Sequence, residues 1–301
     1  MEQKPTREEM IRMAKETRKQ VTNAVVKPEE LAAWPVTMEK LLIPTRVGDS
    51  QCYLASPEQQ EDGPLPLIIN LHGGGFIRQR TDNDQLFCRR MSCELGCRTL
   101  DVDYRVAPEH PFPAGLHECY DVTVWAWEHA ETLGIDREQI ILMGHSAGGN
   151  FVLGISILLR ENQSPVRLLG VISEYPPTDL ATDPGAKKCV DQVIPAERAR
   201  LYNLYYCDEE QQKNPYVSLV RMPQERLKEL PRTLFITAAQ DSLCFEAEEF
   251  ALKMAAAGNE VTLKRFPGVG HAFTIYRRPG WEEAVELIVR YTKWLLHRKT
   301  R

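Results

Sequence analysis

Short apolar runs alternate with longer amphipathic stretches along most of this chain. Pro66-Leu67-Ile68-Ile69-Asn70-Leu71, Ile140-Ile141-Leu142-Met143, Leu168–Ser173 and Thr233–Ala238 read as buried strands, because each is a short apolar run bounded by turn formers. Val261–Phe266 alternates instead, as a strand with one wet face does. Phe151–Leu159, about Phe245–Ala257 and about Glu282–Leu296 have the spacing of helices. The last of these puts Ala284, Leu287, Ile288, Tyr291, Trp294 and Leu295 on one face. Strand following helix from Leu65 to the C-terminus predicts an α/β fold, with a mostly parallel central sheet covered on both faces. Ahead of it, Met38–Ile43 and Gln51–Ala55 predict an antiparallel edge. Thr6-Arg7-Glu8-Glu9 reads as a capping box, opening a helix whose face is marked by Met10, Ala14, Thr17 and Val21. A second short helix is expected over Pro28–Ala33.

One segment breaks the alternation. After Pro176-Pro177-Thr178-Asp179 come roughly forty residues before the next clear strand, too many for a structureless loop in a compact domain. Pro195–Tyr206 is helix-like within it and carries Tyr202, Tyr205 and Tyr206.

Composition narrows the classes. The chain has 301 residues, 43% hydrophobic and 26% charged, enough to bury one large core. A net charge of −5 with no long like-charge block argues against a nucleic-acid partner. The basic tail Lys293–Arg301 reads as the solvated end of the last helix. The apolar stretch Phe151–Leu159 is too short to span a bilayer, and Met1 opens a charged helical segment rather than a secretory signal. A cytoplasmic location is therefore expected, with free thiols at Cys52, Cys88, Cys93, Cys97, Cys119, Cys189, Cys207 and Cys244. Cys88, Cys93 and Cys97 are loosely spaced like metal ligands. No Cys-x-x-Cys or matching histidine pair joins them, so no metal site is expected.

The candidate chemistry sits at strand ends. Gly144-His145-Ser146-Ala147-Gly148 lies between a strand and a helix, and such a turn exposes the serine hydroxyl. The pentapeptide alone is common. His72-Gly73-Gly74-Gly75-Phe76 follows another strand. Backbone N–H groups of Gly74 and Gly75 would join that of Ala147 to hold an oxyanion. No Lys-Ser or Lys-Thr follows those glycines, which argues against a nucleotide phosphate loop. His72 reads as an anchor of the loop. Asp241 follows the Thr233–Ala238 strand, and on its own reads as a turn or cap residue. His271 follows the Val261–Phe266 strand in a glycine-rich loop, and on its own reads as a surface histidine. The order Ser146, Asp241, His271 makes the three a candidate nucleophile, acid and base.

Four motifs carry a family resemblance: His72–Phe76, Asp103-Tyr104-Arg105-Val106-Ala107-Pro108-Glu109-His110-Pro111-Phe112-Pro113-Ala114, Gly144–Asn150, and Asp241 with His271-Ala272-Phe273. In this order the chain resembles the hormone-sensitive-lipase-like branch of the α/β-hydrolases, esterases with a helical cap. The resemblance implies a serine carboxylesterase acting on short- to medium-chain acyl esters of small molecules, with no cofactor. A deacetylase, amidase or acyltransferase would keep the same motifs; a non-catalytic ligand receptor would have no need of all three triad residues. The resemblance also implies that residues 1–36 and about 180–216 form a cap on a catalytic domain spanning 37–301, and it admits a homodimer. The cap tyrosines would then either line the pocket or pack the cap onto the body. Two positions depart from the family: His145 stands where Asp is usual, and Ser242 where Pro is usual. His145 is expected to be buried or supporting rather than the base. Asp103, Arg105 and Glu109 are expected to form a network near the glycine loop.

Overall fold

The computed structural model describes residues 5–19, 24–59, 63–191 and 193–298. Val21 and the last three residues of the basic tail lie outside them. Eight strands make one sheet: β1 (Val36–Ile43), β2 (Ser50–Pro57), β3 (Leu65–Leu71), β4 (Arg98–Asp103), β5 (Ile135–His145), β6 (Leu168–Glu174), β7 (Thr233–Ala238) and β8 (Val261–Phe266). Their order is β1-β2-β4-β3-β5-β6-β7-β8. β2 runs antiparallel to both β1 and β4, and the other pairings are parallel. The expected mostly parallel sheet with an antiparallel edge is the one found. The chain also contains α1 (Arg7–Lys19), α2 (Pro28–Ala32), α3 (Asp82–Leu95), α4 (Ala114–Glu128), α5 (Ala147–Glu161), α6 (Ala196–Tyr206), α7 (Cys244–Ala256) and α8 (Trp281–His297).

The period-2 alternation of each central strand divides the core in two. Leu67, Ile69, Ile140, Leu142, Val171 and Phe235 pack on one face with Val122, Phe151, Ile155 and Phe250 from α4, α5 and α7. Ile68, Ile141, Met143, Ile172, Leu234 and Ile236 pack on the other with Phe87, Met91, Ala284 and Ile288 from α3 and α8. Strands buried on both faces read as unbroken apolar runs, which is why these four were visible in the sequence. The predicted face of α8 is the packed one: Ala284, Ile288, Tyr291 and Leu295 are buried. At the N-terminus the capping box forms, with Thr6 N–H donating to Glu9 Oε2 at 2.8 Å and Glu9 N–H donating to Thr6 Oγ1 at 3.3 Å.

The irregular segment holds α6, whose tyrosines divide between the two expected roles. Tyr205 and Tyr206 are buried; Tyr206 stacks on Phe76 at 3.9 Å and its carbonyl accepts the Phe112 N–H at 2.8 Å. Tyr202 instead lines a cavity. Cys88, Cys93 and Cys97 do not converge: the Cys93 thiol meets Pro35 O and the Cys97 thiol meets Met91 O. Among the described residues, no group of three or more His, Cys, Asp or Glu is placed to hold a metal, and no helix is long and apolar enough to cross a membrane.

Strand β5 enters α5 through a close backbone crossing. A Cβ on Gly144 would stand 2.3 Å from Gly148 O, and one on Gly148 would stand 2.0 Å from Leu71 O. Both obstacles are backbone, which has little room to yield. Gly148→Ala is expected to cost more than about 2 kcal/mol in urea unfolding. Gly154→Ala, on the same helix but facing the flexible end of Leu116 at 3.3 Å, is expected to cost less than about 1 kcal/mol. Equal losses would contradict the crossing as the cause.

Candidate active site

The carboxyl ends of β3, β5, β7 and β8 bring the motifs together, at the edge where open α/β sheets build their sites. Ser146 is the turn residue between β5 and α5, with φ 51° and ψ −115°. A non-glycine residue there is strained, and its N–H is secured by donating to Glu174 O at 2.9 Å. His271 Nε2 lies 2.9 Å from Ser146 Oγ, and His271 Nδ1 lies 2.6 Å from Asp241 Oδ2. Asp241 is fully buried, and its other oxygen accepts the Leu243 N–H at 3.1 Å. The carboxylate thus favours a proton on Nδ1, which leaves Nε2 to accept from the serine.

The glycine loop folds as its sequence requires. Gly74 and Gly75 have φ of 127° and 61°, the left-handed region. A Cβ on Gly75 would also stand 2.4 Å from the Tyr202 ring. The N–H groups of Gly74, Gly75 and Ala147 donate to no protein acceptor among the described residues. Ala147 is the first residue of α5, so its N–H is one of the orphan donors of a helix N-terminus, and the helix dipole adds partial positive charge there. His72 is an anchor, as expected: its ring stacks on Tyr104 at 3.9 Å, Nδ1 meets Gly73 O at 2.7 Å, and Tyr104 Oη donates to His72 O at 2.7 Å. Burial pulls its pKa down.

The expected network of Asp103, Arg105 and Glu109 is in fact three separate ones. Asp103 accepts the Arg80 N–H at 3.3 Å, below the glycine loop. Arg105 turns away, toward Glu118 at 3.0 Å and the turn carbonyls of Gly48 and Asp49. Glu109 takes both ends of the Arg18 guanidinium at 2.8 and 2.6 Å. Because Arg18 also donates to Ile77 O and Ala107 O, Glu109 ties α1 to the loops around the site.

Ser146, His271 and the glycine loop line a cavity of 220 Å³, together with Leu243, Val193, Ile194, Tyr202 and other residues. The family model for the alpha/beta hydrolase fold matches residues 68–275. The chain belongs to this family. Among its relatives, an arylesterase of Saccharolobus solfataricus is 31% identical over 211 residues, 69% of this chain and 68% of that one. Hormone-sensitive lipase of Mus musculus is 36% identical over 130 residues, 43% of this chain and 17% of that one, which places the chain in the branch its motifs resembled. A hyperthermophilic esterase from the archaeon Pyrobaculum calidifontis superposes with a TM-score of 0.80 at 27% identity, over 97% of this chain and 93% of that one.

Within this α/β-hydrolase, the departure at His145 acquires a partner that sequence reasoning missed. His145 and Glu174 are paired in the β5–β6 register, and are 1% and 0% exposed. His145 Nδ1 and Glu174 Oε1 are 3.0 Å apart, off the line of a full hydrogen bond. Burial pulls the imidazole pKa down, but the adjacent carboxylate pushes it up by more, to a net position above the ordinary 6.5. A glutamate closing the otherwise apolar run Leu168–Ser173 was the available signal. Tyr175 was also missed. Its ring stands edge-on to His271 at 5.1 Å, and its hydroxyl is bonded to Thr274 Oγ1.

A histidine pKa raised in the folded state adds stability that is complete below the unfolded value, and that stability is lost as pH rises through the folded value. Glu174→Gln is therefore expected to cost about 2 kcal/mol near pH 6, and the gap from the parent chain should shrink toward pH 9. Urea unfolding at both pH values measures it; a gap that is constant or widens with pH would contradict a charged pair.

Proposed function

We propose that this chain is a serine carboxylesterase that hydrolyses short- to medium-chain acyl esters of small molecules. The observation that carries this reading is the unbroken line from Asp241 through His271 to Ser146, beside three backbone N–H groups that donate to no acceptor among the described residues. His271 takes the serine proton as Oγ adds to the ester carbonyl. The N–H groups of Gly74, Gly75 and Ala147 hold the charge that develops on the carbonyl oxygen. The intermediate collapses, and the departing alkoxide takes the proton from His271. A water then gives its proton to His271 and attacks the acyl-serine, releasing the acid and restoring Oγ–H. Asp241 holds the imidazole in the required tautomer and stabilises its cation.

In the same reading the N-terminal helices and the segment around α6, residues 1–36 and about 180–216, form a cap that keeps bulk water from the acyl-enzyme. Supporting this, Tyr202 packs against Gly75 and Val193 and Ile194 wall the cavity. Short- to medium-chain acyl groups suit the volume of 220 Å³, which is below the ~300–1,000 Å³ of pockets for drug-sized ligands.

Hydrolysis of p-nitrophenyl esters from acetate to laurate tests the proposal. Turnover is expected to peak at octanoate or shorter, and Ser146→Ala should lower kcat by at least about 10⁴-fold while leaving the fold intact. A laurate optimum would contradict the acyl range, and turnover retained by a folded Ser146→Ala would sink the nucleophile. Activity should also fall in acid as His271 takes up a proton; a rate flat from about pH 5 to 8, with chemistry limiting, would contradict a histidine base.

A further inference from the structure

Three arginines from three different parts of the chain line the cavity, although the chain as a whole carries a net charge of −5. Arg78 follows the glycine loop, and its N–H donates to Gly74 O at 3.2 Å. Its guanidinium reaches Tyr276 Oη at 3.4 Å. Arg198 stands one helical turn before Tyr202 on α6, an i, i+4 pair that shares a face. The same face carries Ala199 and Asn203 into the wall. Arg278 donates to the carbonyl of His271 at 3.1 Å, which sets it behind the candidate base.

Among the described residues of the wall, no carboxylate balances Arg198 or Arg278. Among the described residues, Asp84 is the one acid that lines the cavity. It is buried and committed to the N-terminus of α3, accepting the Thr81 N–H and hydroxyl at 2.8 Å each. Among the described residues, neither Arg198 nor Arg278 forms an ion pair with a carboxylate. Elsewhere the arginines around the site are paired: Arg18 with Glu109, Arg80 with Asp101, Arg277 with Glu30. Like charges gathered at one cavity add nothing to folding, whereas a concave site lined by one sign focuses the field on an incoming ion of the other sign.

We infer that this esterase prefers substrates bearing an anionic group, a carboxylate on the acyl or the alcohol portion, which the Arg78, Arg198 and Arg278 guanidinium groups draw in and hold at the cavity. The inference rests on the serine-esterase reading and names the substrate class within it. The ester carbonyl occupies the space between Ser146 and the three free N–H groups, while the substrate's anion remains toward the arginines. Arginine suits this role, since its planar fork matches a carboxylate with two parallel hydrogen bonds.

Two matched pairs test it: 4-acetoxybenzoate against methyl 4-acetoxybenzoate, and monoethyl adipate against diethyl adipate. Each kcat/KM is normalised to that ester's own hydroxide-catalysed rate. In at least one pair the anionic member is expected to be favoured by about 10-fold at low salt, with the ratio falling toward one as salt shortens the reach of the charges. In that pair Arg198→Gln and Arg278→Gln should each lower the anionic-to-neutral ratio by about threefold or more. Such a ratio, responsive to both salt and the substitutions, supports the inference. A ratio at or below one in both pairs overturns it, as does a ratio indifferent to salt or to both substitutions. Efficient turnover of the neutral esters alone would leave the serine-esterase reading standing and this inference refuted; no turnover of any of the four would refute the reading on which it rests.

Discussion

The site depends on how closely a strand and a helix can pass. At Gly144 and Gly148 the backbones of β3, β5 and α5 approach to distances that no side chain could share. That approach forces the intervening residue into a strained turn, and the turn does three things together. It lifts the Ser146 hydroxyl toward His271. It spends the Ser146 N–H on Glu174 O, leaving the next N–H, that of Ala147, free. And it sets the N-terminus of α5 beside the glycine loop, since a Cβ on Gly73 would lie 3.2 Å from His145 O. Candidate nucleophile and candidate oxyanion donors are thus held by one packed core.

Beneath this surface lies a layer of buried polar groups. Asn70, Asp101 and Arg80 are linked beside His72, with Asn70 Nδ2 donating to Asp101 at 2.9 Å and Arg80 to Asp101 at 2.8 Å. Burial raises the Asp101 pKa even with Arg80 opposing it. The His145–Glu174 pair continues the layer next to Ser146. A buried ion pair contributes little net stability over an apolar one, although losing one partner costs much more, so these pairs hold strand ends and the glycine loop in place.

What was readable in the sequence followed local backbone demands. Three consecutive glycines, a serine between two glycines and strands buried on both faces each have a local cause, and each appears where expected. Tertiary pairings left at most an isolated polar residue as a trace, such as Glu174 at the end of its strand. Nothing in the spacing of His145 and Glu174 says that parallel strands set them side by side, and the Arg105–Glu118 and Arg18–Glu109 pairs depend equally on tertiary packing. Cys88, Cys93 and Cys97 show the converse case, a loose ligand-like spacing in which the Cys93 and Cys97 thiols turn to different carbonyls. The arginines of the cavity wall come from positions 78, 198 and 278, and only the folded chain assembles them.

The central claim is that Ser146 is a nucleophile activated by His271. Covalent capture tests it without any assumption about substrate. A fluorophosphonate that mimics the tetrahedral intermediate is expected to add once per chain, on the peptide containing Ser146, with no adduct in Ser146→Ala and labelling slowed by at least about 100-fold in His271→Ala. Labelling of another residue, or an unchanged rate without His271, would contradict the account.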